Sequence, residues 1–337
     1  MTELDPIAPA EAKEMYLAQR RNELAEATLQ GHHYRLKPFV QWCESNDLTN
    51  LNELTARDVH KYRLHRQEEA DLNKITVRTQ LSTIRVFLQF LESIDGVEQG
   101  VHEKMLIPST NPDEESREEM LDAKSAERML SYLDQYEYAS KTHALLTVLW
   151  ATGCRMGGAH SLDVDDFDPD AQSLAFRHRP DQGTRLKNKQ SGERLCALSG
   201  NVSETLEDYI AVNRRELTDE NGRKPLFTTR SGRMHKSNIR EVVYAATRPC
   251  AYGQDCPHDR DPESCEAANY SYARKCPSST PPHDIRRGAL THLLKEDVPK
   301  EVVSDRANVG RDVLDKHYNQ MTEEEKMEQR RGYLNQI

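Results

Sequence analysis

Apolar residues recur at helical spacing through most of the first hundred positions. A loose apolar stripe over residues 29–43 is followed by a regular one, in which successive members lie three or four residues apart. Such spacing is typical of a helix with one buried face, and no segment here alternates with the period of two that a strand shows. The pattern predicts a small domain of about four helices over residues 10–95. The regular stripe consists of Val77, Leu81, Ile84, Leu88 and Leu91.

The periodic pattern stops between Gly96 and Glu119. Glycine, proline and asparagine interrupt this stretch and acidic residues follow them, as is typical of a connecting segment. We therefore divide the chain into an N-terminal helical domain at 1–107, a linker at 108–119 and a second domain at 120–337.

The second domain mixes helical and strand-like patterns. A helical stripe ends at Gly153, and two strand-like pieces follow at 174–178 and 194–198. A polar, basic stretch separates these two pieces, which predicts a β-hairpin. The expected fold class is therefore mainly α with a small β-hairpin or sheet (α+β). Further helices are predicted over 201–216, 236–247, 285–296 and 321–334.

The composition is consistent with two folded domains. The 337 residues are 36% hydrophobic and 30% charged, which leaves enough apolar material for a core. No apolar run approaches the roughly 18 residues of a membrane span. The first residues lack the basic and apolar regions of a secretory signal. We therefore expect a cytoplasmic protein that has no membrane contact.

The net charge of −10 argues against binding to nucleic acid, because that affinity rests on neutralising phosphates. Two observations weaken this exclusion. Arginine outnumbers lysine by 30 to 16, and arginine is the better bidentate phosphate ligand. The charge is also uneven, since segment 223–248 carries seven basic residues and one acidic residue. A nucleic-acid partner therefore remains compatible with the composition.

Five polar residues stand out as candidates for chemistry. Arg155 follows an apolar helix and a glycine, and Lys189 lies in the proposed hairpin turn. His283 and Arg286 are three residues apart at the start of a predicted helix, so they share a face. Tyr318 lies near the C-terminus. Taken singly, each is better explained by a structural role, as an ion pair at a helix end, a solvated turn, a helix cap or a half-buried tyrosine.

Taken in order, these residues resemble the motif series of the tyrosine recombinase family, which includes the phage integrases and the Xer proteins. The run T-G-C-R that ends at Arg155 resembles the family's T-G-x-R box. The run K-Q-S-G-E-R-L-C-A-L that begins at Lys189 resembles its hairpin motif K-G-N-K-E-R-L-V-P-L. The run H-D-I-R from His283 to Arg286 resembles its H-x-x-R box, and Tyr318 follows 32 residues later in an x-x-H-Y context.

The resemblance implies an N-terminal core-binding (SAM-like) domain that clamps DNA and a tyrosine recombinase catalytic domain. It implies that Tyr318 attacks a DNA phosphodiester and forms a 3′-phosphotyrosyl link, with no cofactor for the reaction. Arg155 and Arg286 are then expected to hold the phosphate oxygens, Lys189 to act as general acid, and His283 to accept a proton or donate a hydrogen bond. The expected partners are double-stranded DNA and further copies of the chain, as a homo-tetramer on paired sites.

Two positions depart from the family pattern. Gly158 stands where the family usually has an acid, and Val309 stands where it usually has a histidine or tryptophan, nine residues before the tyrosine. Asn308 is a possible replacement donor. These departures keep an alternative open, in which the chain is a catalytically weak DNA-binding relative that acts as a regulator or accessory factor.

A cysteine cluster lies between the hairpin and the H-x-x-R motif, in a polar insertion at about 249–280. Clustered cysteines in a chain with no export signal indicate a metal before a disulfide, so we expect a structural zinc ion, with free thiols or disulfides as the alternatives. A less favoured hypothesis is that the chain is a metal-dependent nuclease whose metal is bound by this cluster. The expected ligands are Cys250, Cys256, Cys265 and Cys276, with His258 as an alternative.

Overall fold

The computed structural model describes residues 5–68, 72–110, 119–317 and 321–334. The chain divides into two compact units, Met1–Ser116 and Arg117–Ile337. No helix in the described ranges is long and apolar enough to cross a membrane.

The first unit is helical, as the apolar stripes predict. Its central helix buries the regular stripe completely, and the residues of that stripe are at most 2% exposed. The aromatic rings of Tyr16 and Phe39 meet Phe87 edge to face, which is a favourable arrangement for buried rings. The helices are α1 (Pro9–Arg20), α2 (Glu26–Ser45), α3 (Ala56–Glu68) and α4 (Lys74–Ser93), with a short 3₁₀ turn at Leu51–Glu53.

The second unit is also mainly helical. Its first two helices pack against the helix that carries His283, and Leu174, Phe176 and Cys196 of the sheet belong to the same apolar core. A single π-helical turn, Tyr209–Asn213, extends the helix before it. The helices of the described residues are α5 (Ala123–Tyr136), α6 (Lys141–Thr152), α7 (Met156–Ser161), α8 (Gly200–Asp208), α9 (Lys236–Ala246), α10 (Pro282–Lys295), α11 (Lys300–Ala307), α12 (Arg311–His317) and α13 (Glu323–Leu334).

The predicted hairpin is present within a three-stranded antiparallel sheet of order β1-β2-β3. Its strands are β1 (Phe167–Asp168), β2 (Ser173–Phe176) and β3 (Arg194–Ala197). Leu174 pairs with Cys196, and both side chains are buried. Strand β2 ends two residues before the predicted end, because the His178 N–H donates to the Glu193 side chain at 2.8 Å instead of joining the ladder. The prediction of a mainly α fold with a small sheet is confirmed.

A buried ion-pair network neutralises part of the acidic run after α7. Asp163 pairs with Arg223 and Arg233 at 2.6 Å each, and with Arg179 at 3.2 Å. Asp219 also pairs with Arg233, at 2.7 Å. Arg223 and Arg233, two of the seven basic residues in segment 223–248, are therefore engaged in this network. Lys224, Arg230 and Arg240 of that segment remain exposed.

Candidate active site

The position of Arg155 depends on the turn that ends α6. Gly153 has φ +56°, a left-handed conformation that favours glycine, and a Cβ there would lie 2.7 Å from Leu290 Cδ2. Glycine is therefore required both by the backbone and by the close approach of α10. After this reversal Arg155 serves as the N-cap residue of α7, and its side chain is partly buried.

The second arginine, Arg286, is almost completely buried, with 1% exposure. Its Nη1 donates to the carbonyl of Gly153 at 2.6 Å and to the carbonyl of Ala307 at 2.9 Å. Arg155 Nη1 donates to the carbonyl of Asn308 at 3.0 Å. The two guanidinium groups therefore meet at the end of α11, although they lie far apart in the sequence.

Asn308 joins the hairpin loop to these arginines. It ends α11 in the left-handed conformation, with φ +49°, which asparagine tolerates better than most residues. Its Oδ1 accepts a hydrogen bond from Asn188 Nδ2 at 2.5 Å, and its Nδ2 donates to the carbonyl of Ser191. An open groove of about 650 Å³ lies beside these contacts. The side-chain amide of Asn308 thus holds the hairpin loop, and the backbone carbonyl of the same residue holds Arg155.

The structure shows which side chains surround the two positions that depart from the family pattern. Val309 is 6% exposed and packs in a small apolar cluster with Val303 and Leu314, so it faces the core and not the hairpin. A Cβ at Gly158 would lie 3.2 Å from the ring of Phe176. An acidic side chain at this position would therefore have to displace that ring. The guanidinium of Arg194 stacks over the same ring at 4.0 Å.

His283 lies where several positive charges act together. It is the second residue of α10 and keeps part of its surface exposed. Partial burial, and then the charges of Arg287, Arg286, Arg155 and Lys187 in that order, together lower the pKa of its imidazole to about 4. A histidine with this pKa is neutral near pH 7, and the burial and positive charges that lower the pKa make its ring a weaker proton acceptor than an ordinary histidine.

The hairpin loop presents two lysines. Lys189, the residue that the motif indicates, is exposed, has φ +52° and begins a 3₁₀ turn at Lys189–Gly192. Lys187 is also exposed, and its charge is one of those that lower the pKa of His283. The motif indicates Lys189, and the run K-N-K contains Lys187 as a second lysine of the same loop.

The structure brings Arg155, Arg286 and His283 to one region of the second unit, with Asn308 and the hairpin loop beside them. Tyr318 lies outside the described residues, so its position is not part of this geometry. Helix α12 leads directly to it. The role of Asn308 in holding the hairpin could not be read from spacing, because it depends on a turn formed by residues distant in sequence.

The cysteine cluster is separate from this region in the sequence. All four cysteines carry free thiols and are partly exposed. Within the ranges that the structure describes, no three histidine, cysteine, aspartate or glutamate side chains are arranged as a metal site.

Family models match both units of the chain. The model of the phage integrase family matches residues 119–324, and the model of the phage integrase N-terminal SAM-like domain matches residues 14–93. The chain belongs to the phage integrase family. The first match contains Arg155, Lys189, His283, Arg286 and Tyr318. The prediction of a tyrosine recombinase with a SAM-like N-terminal domain, made from the motif series, is confirmed.

Relatives of this phage integrase family member include recombinases of several kinds. The tyrosine recombinase XerD of Bifidobacterium longum is 26% identical over 231 residues, which cover 66% of this chain and 71% of that protein. The Tn1549 transposon integrase in complex with a circular intermediate DNA has a TM-score of 0.67 at 15% identity, covering 96% of this chain and 99% of its own. The lambda integrase tetramer bound to a Holliday junction has a TM-score of 0.65 at 10% identity, covering 95% and 80%. At these identities the two solved structures establish the fold.

Proposed function

We propose that this integrase family member is a site-specific DNA recombinase that cleaves and rejoins DNA through a 3′-phosphotyrosyl intermediate at Tyr318. The observation that carries the proposal is the meeting of Arg155 and Arg286 at the end of α11, beside His283 and the hairpin loop. Two guanidinium groups and a neutral imidazole at one place suit a reaction in which a phosphate gains charge.

In the proposed step, the phenol oxygen of Tyr318 forms a bond to phosphorus and the bond from phosphorus to the 5′-oxygen breaks. The phenol proton passes to His283, whose ring is neutral near pH 7; the bound DNA phosphate offsets the nearby positive charges and so raises the ring's affinity for the proton. A lysine of the hairpin loop gives a proton to the leaving 5′-oxygen. Rejoining is the reverse of these transfers, and the phosphodiester energy is kept in the tyrosyl link.

Arg155 and Arg286 act as the charge-stabilising pair on the non-bridging oxygens. Their guanidinium groups are held by hydrogen bonds to the backbone carbonyls at 153, 307 and 308, and a guanidinium presents its N–H donors in a planar fork that matches the oxygens of a phosphate. The contacts fix the arginines before the substrate arrives, which reduces the reorganisation that the reaction requires.

The general acid is one of the two lysines in the hairpin loop. The motif favours Lys189, whereas Lys187 is the lysine of the loop whose charge acts on the pKa of His283. We assign the acid to Lys187 and keep Lys189 as the residue against which it is tested. Both side chains are exposed, so either can turn toward a bound DNA strand.

The proposed substrate is double-stranded DNA, bound by a homo-tetramer on paired sites. The Tn1549 integrase was solved with circular intermediate DNA, and the lambda integrase as a tetramer on a Holliday junction. In this chain the exposed cations Lys224, Arg230 and Arg240 are available for phosphate contacts. Because the net charge of the chain is −10, attraction to DNA must come from such local groups of basic residues and not from the charge of the whole protein. Binding through these contacts should weaken as the salt concentration rises.

The test is to recover DNA that becomes covalently attached to the protein. The protein is incubated with a library of DNA fragments, denatured and washed, and the DNA that survives is sequenced. A recombinase is expected to retain one sequence or one family of sites. A regulator that binds DNA without cleaving it would retain DNA before denaturation and release all of it afterwards.

A further inference from the structure

The segment between α9 and α10 has little apolar material to hold it together. It contains three 3₁₀ turns, at Pro249–Tyr252, Glu266–Ala268 and Tyr270–Lys275. Each of these turns buries a single residue. A chain segment with so small a core needs another source of stability to keep one conformation. The buried residues are Tyr252, Ala267 and Ala273.

The four cysteines of this segment line one cavity. The cavity measures about 20 Å³, which is the space that a single water molecule or ion needs. Its wall also includes His258 and two basic residues, Arg248 and Arg260. Four cysteines spread over 27 positions of the sequence thus line the same small space. They are Cys250, Cys256, Cys265 and Cys276.

We propose that this cavity is a structural zinc site, in which the four cysteine thiolates bind one Zn²⁺ ion. Zinc in structural sites takes four ligands in a tetrahedron and prefers cysteine sulfur among them. The side chains are not yet arranged as a ligand set, so the thiols turn inward about their side-chain torsions when the ion enters. The proposal concerns the stability of the segment and does not depend on the proposed recombinase reaction.

The basic residues in the cavity wall favour thiolate ligands over neutral ones. A zinc ion with four thiolates carries a net double negative charge, and nearby guanidinium groups offset it. Arg248 is held in place because its Nη1 donates to the carbonyls of Ala267 and Ala268. Arg260 lies on the same wall. The positive charges in the cavity wall therefore suit a negatively charged complex of zinc with four thiolates.

His258 lines the cavity, but we do not assign it as a zinc ligand. Its Nε2 lies 2.8 Å from Ser278 Oγ, so this nitrogen is engaged in a hydrogen bond. The four sulfurs alone complete a tetrahedron. The site therefore differs from the mixed cysteine and histidine sets of many zinc modules, and replacement of His258 separates the two possibilities.

The proposed site closes a segment whose ends already meet. Thr280 N donates to Thr247 Oγ1 at 2.8 Å, which ties the end of the segment to the end of α9. Two prolines follow, and His283 comes directly after them. A bound ion between Cys250 and Cys276 would therefore fix the stretch of chain that leads into α10.

The experiment uses the full-length protein purified in reducing buffer without added chelator. Metal analysis is expected to give about one zinc per chain. After zinc removal, added Co²⁺ is expected to produce the visible absorption of a tetrahedral thiolate complex. The variants Cys256→Ser and Cys276→Ser should lose the metal, whereas the matched controls Cys43→Ala and His258→Ala should keep it.

Three results would overturn the proposal. One is a wild-type protein that is free of zinc, binds no Co²⁺ and still resists proteolysis within 249–280. Another is a count of reactive thiols in denaturant, on a separate sample purified without reductant, below the seven that the sequence contains, because that would show disulfides. A third is loss of metal in His258→Ala with retention in Cys276→Ser. The first two measurements need only the wild-type protein, so a variant that fails to fold does not prevent a decision.

Discussion

Arg155 donates a hydrogen bond from Nη1 to the backbone carbonyl of Asn308, 153 positions further along the chain, at 3.0 Å. This contact joins the T-G-C-R motif to the residue just before Val309, the position where the family usually has a histidine or tryptophan. The side chain of Asn308 in turn holds the hairpin loop through Asn188 and Ser191. One residue thus connects three separate parts of the candidate active site.

The first prediction concerns the side chain of Asn308. Asn308→Gly keeps the left-handed backbone and its carbonyl but removes both side-chain hydrogen bonds to the hairpin loop. We expect cleavage to slow by about 10-fold or more while DNA affinity changes little, because the loss of two hydrogen bonds loosens the loop that carries the lysine. Single-turnover cleavage and gel-shift affinity measure the two effects. The control Asn188→Ala should reproduce part of the loss, and unchanged cleavage in both variants would contradict the positioning role.

The second prediction concerns the two arginines. Arg155→Ala and Arg286→Ala should each slow cleavage by about 10²–10³-fold, as for the loss of one charge-stabilising group. The double variant should be little worse than the more affected single variant, because groups that act on one phosphate are not additive. Arg286 is buried, so circular dichroism must first show that its variant is folded. Losses that multiply fully in the double variant would indicate independent roles.

The third prediction separates the two lysines of the hairpin loop. Lys187→Ala should slow cleavage of ordinary DNA by about 10²-fold or more, the usual range for a lost general acid. A 5′-bridging phosphorothiolate, whose sulfur leaves without protonation, should restore that rate. Lys189→Ala is the matched control and should lose much less. Rescue of Lys189→Ala in place of Lys187→Ala would move the acid to the residue that the motif indicates.

The fourth prediction concerns the titration of His283 in the absence of DNA. The pKa of its imidazole is lowered to about 4, so the folded protein disfavours the protonated ring. The unfolded chain binds this proton near pH 6.5. The contribution of His283 to stability is therefore present above pH 6.5 and is lost as the pH falls from 6.5 through about 4. His283→Asn should flatten this part of the profile of unfolding free energy against pH.

Nuclear magnetic resonance of the ring protons gives a direct check of the same titration. The His283 signal should titrate near pH 4, and Lys187→Ala should raise the midpoint because it removes a positive charge. A midpoint near 6.5 in the wild-type protein would show that neither burial nor the surrounding charges shift the pKa of this ring.

Periodicity was sufficient to predict most of the fold. The stripe from Val77 to Leu91 specifies α4, and the polar stretch between two apolar pieces specifies the hairpin. Strand β1 could not be predicted because two residues are too few to show an alternation. The acidic run around Asp163 also could not be assigned, since its partner Arg233 lies 70 positions away.

The part of the candidate site that lies in short sequence motifs could be predicted. The part that depends on the geometry of backbone turns could not. Spacing identified Arg155, His283 and Arg286, because each lies in a short fixed motif. Spacing also pointed to Val309 as the position of a missing donor. The left-handed turn at Asn308 directs Val309 into the core, and no local pattern in the sequence encodes that orientation.

The central claim is that Tyr318 becomes covalently attached to DNA. The most direct measurement uses a recovered target site as a nicked substrate, which traps the cleaved intermediate, followed by digestion and mass spectrometry of the peptide that carries the nucleotide. The account predicts a 3′-phosphate of DNA on the oxygen of Tyr318, and no adduct with Tyr318→Phe at unchanged DNA affinity. An adduct on any other residue, or an adduct of equal yield with Tyr318→Phe, would contradict it.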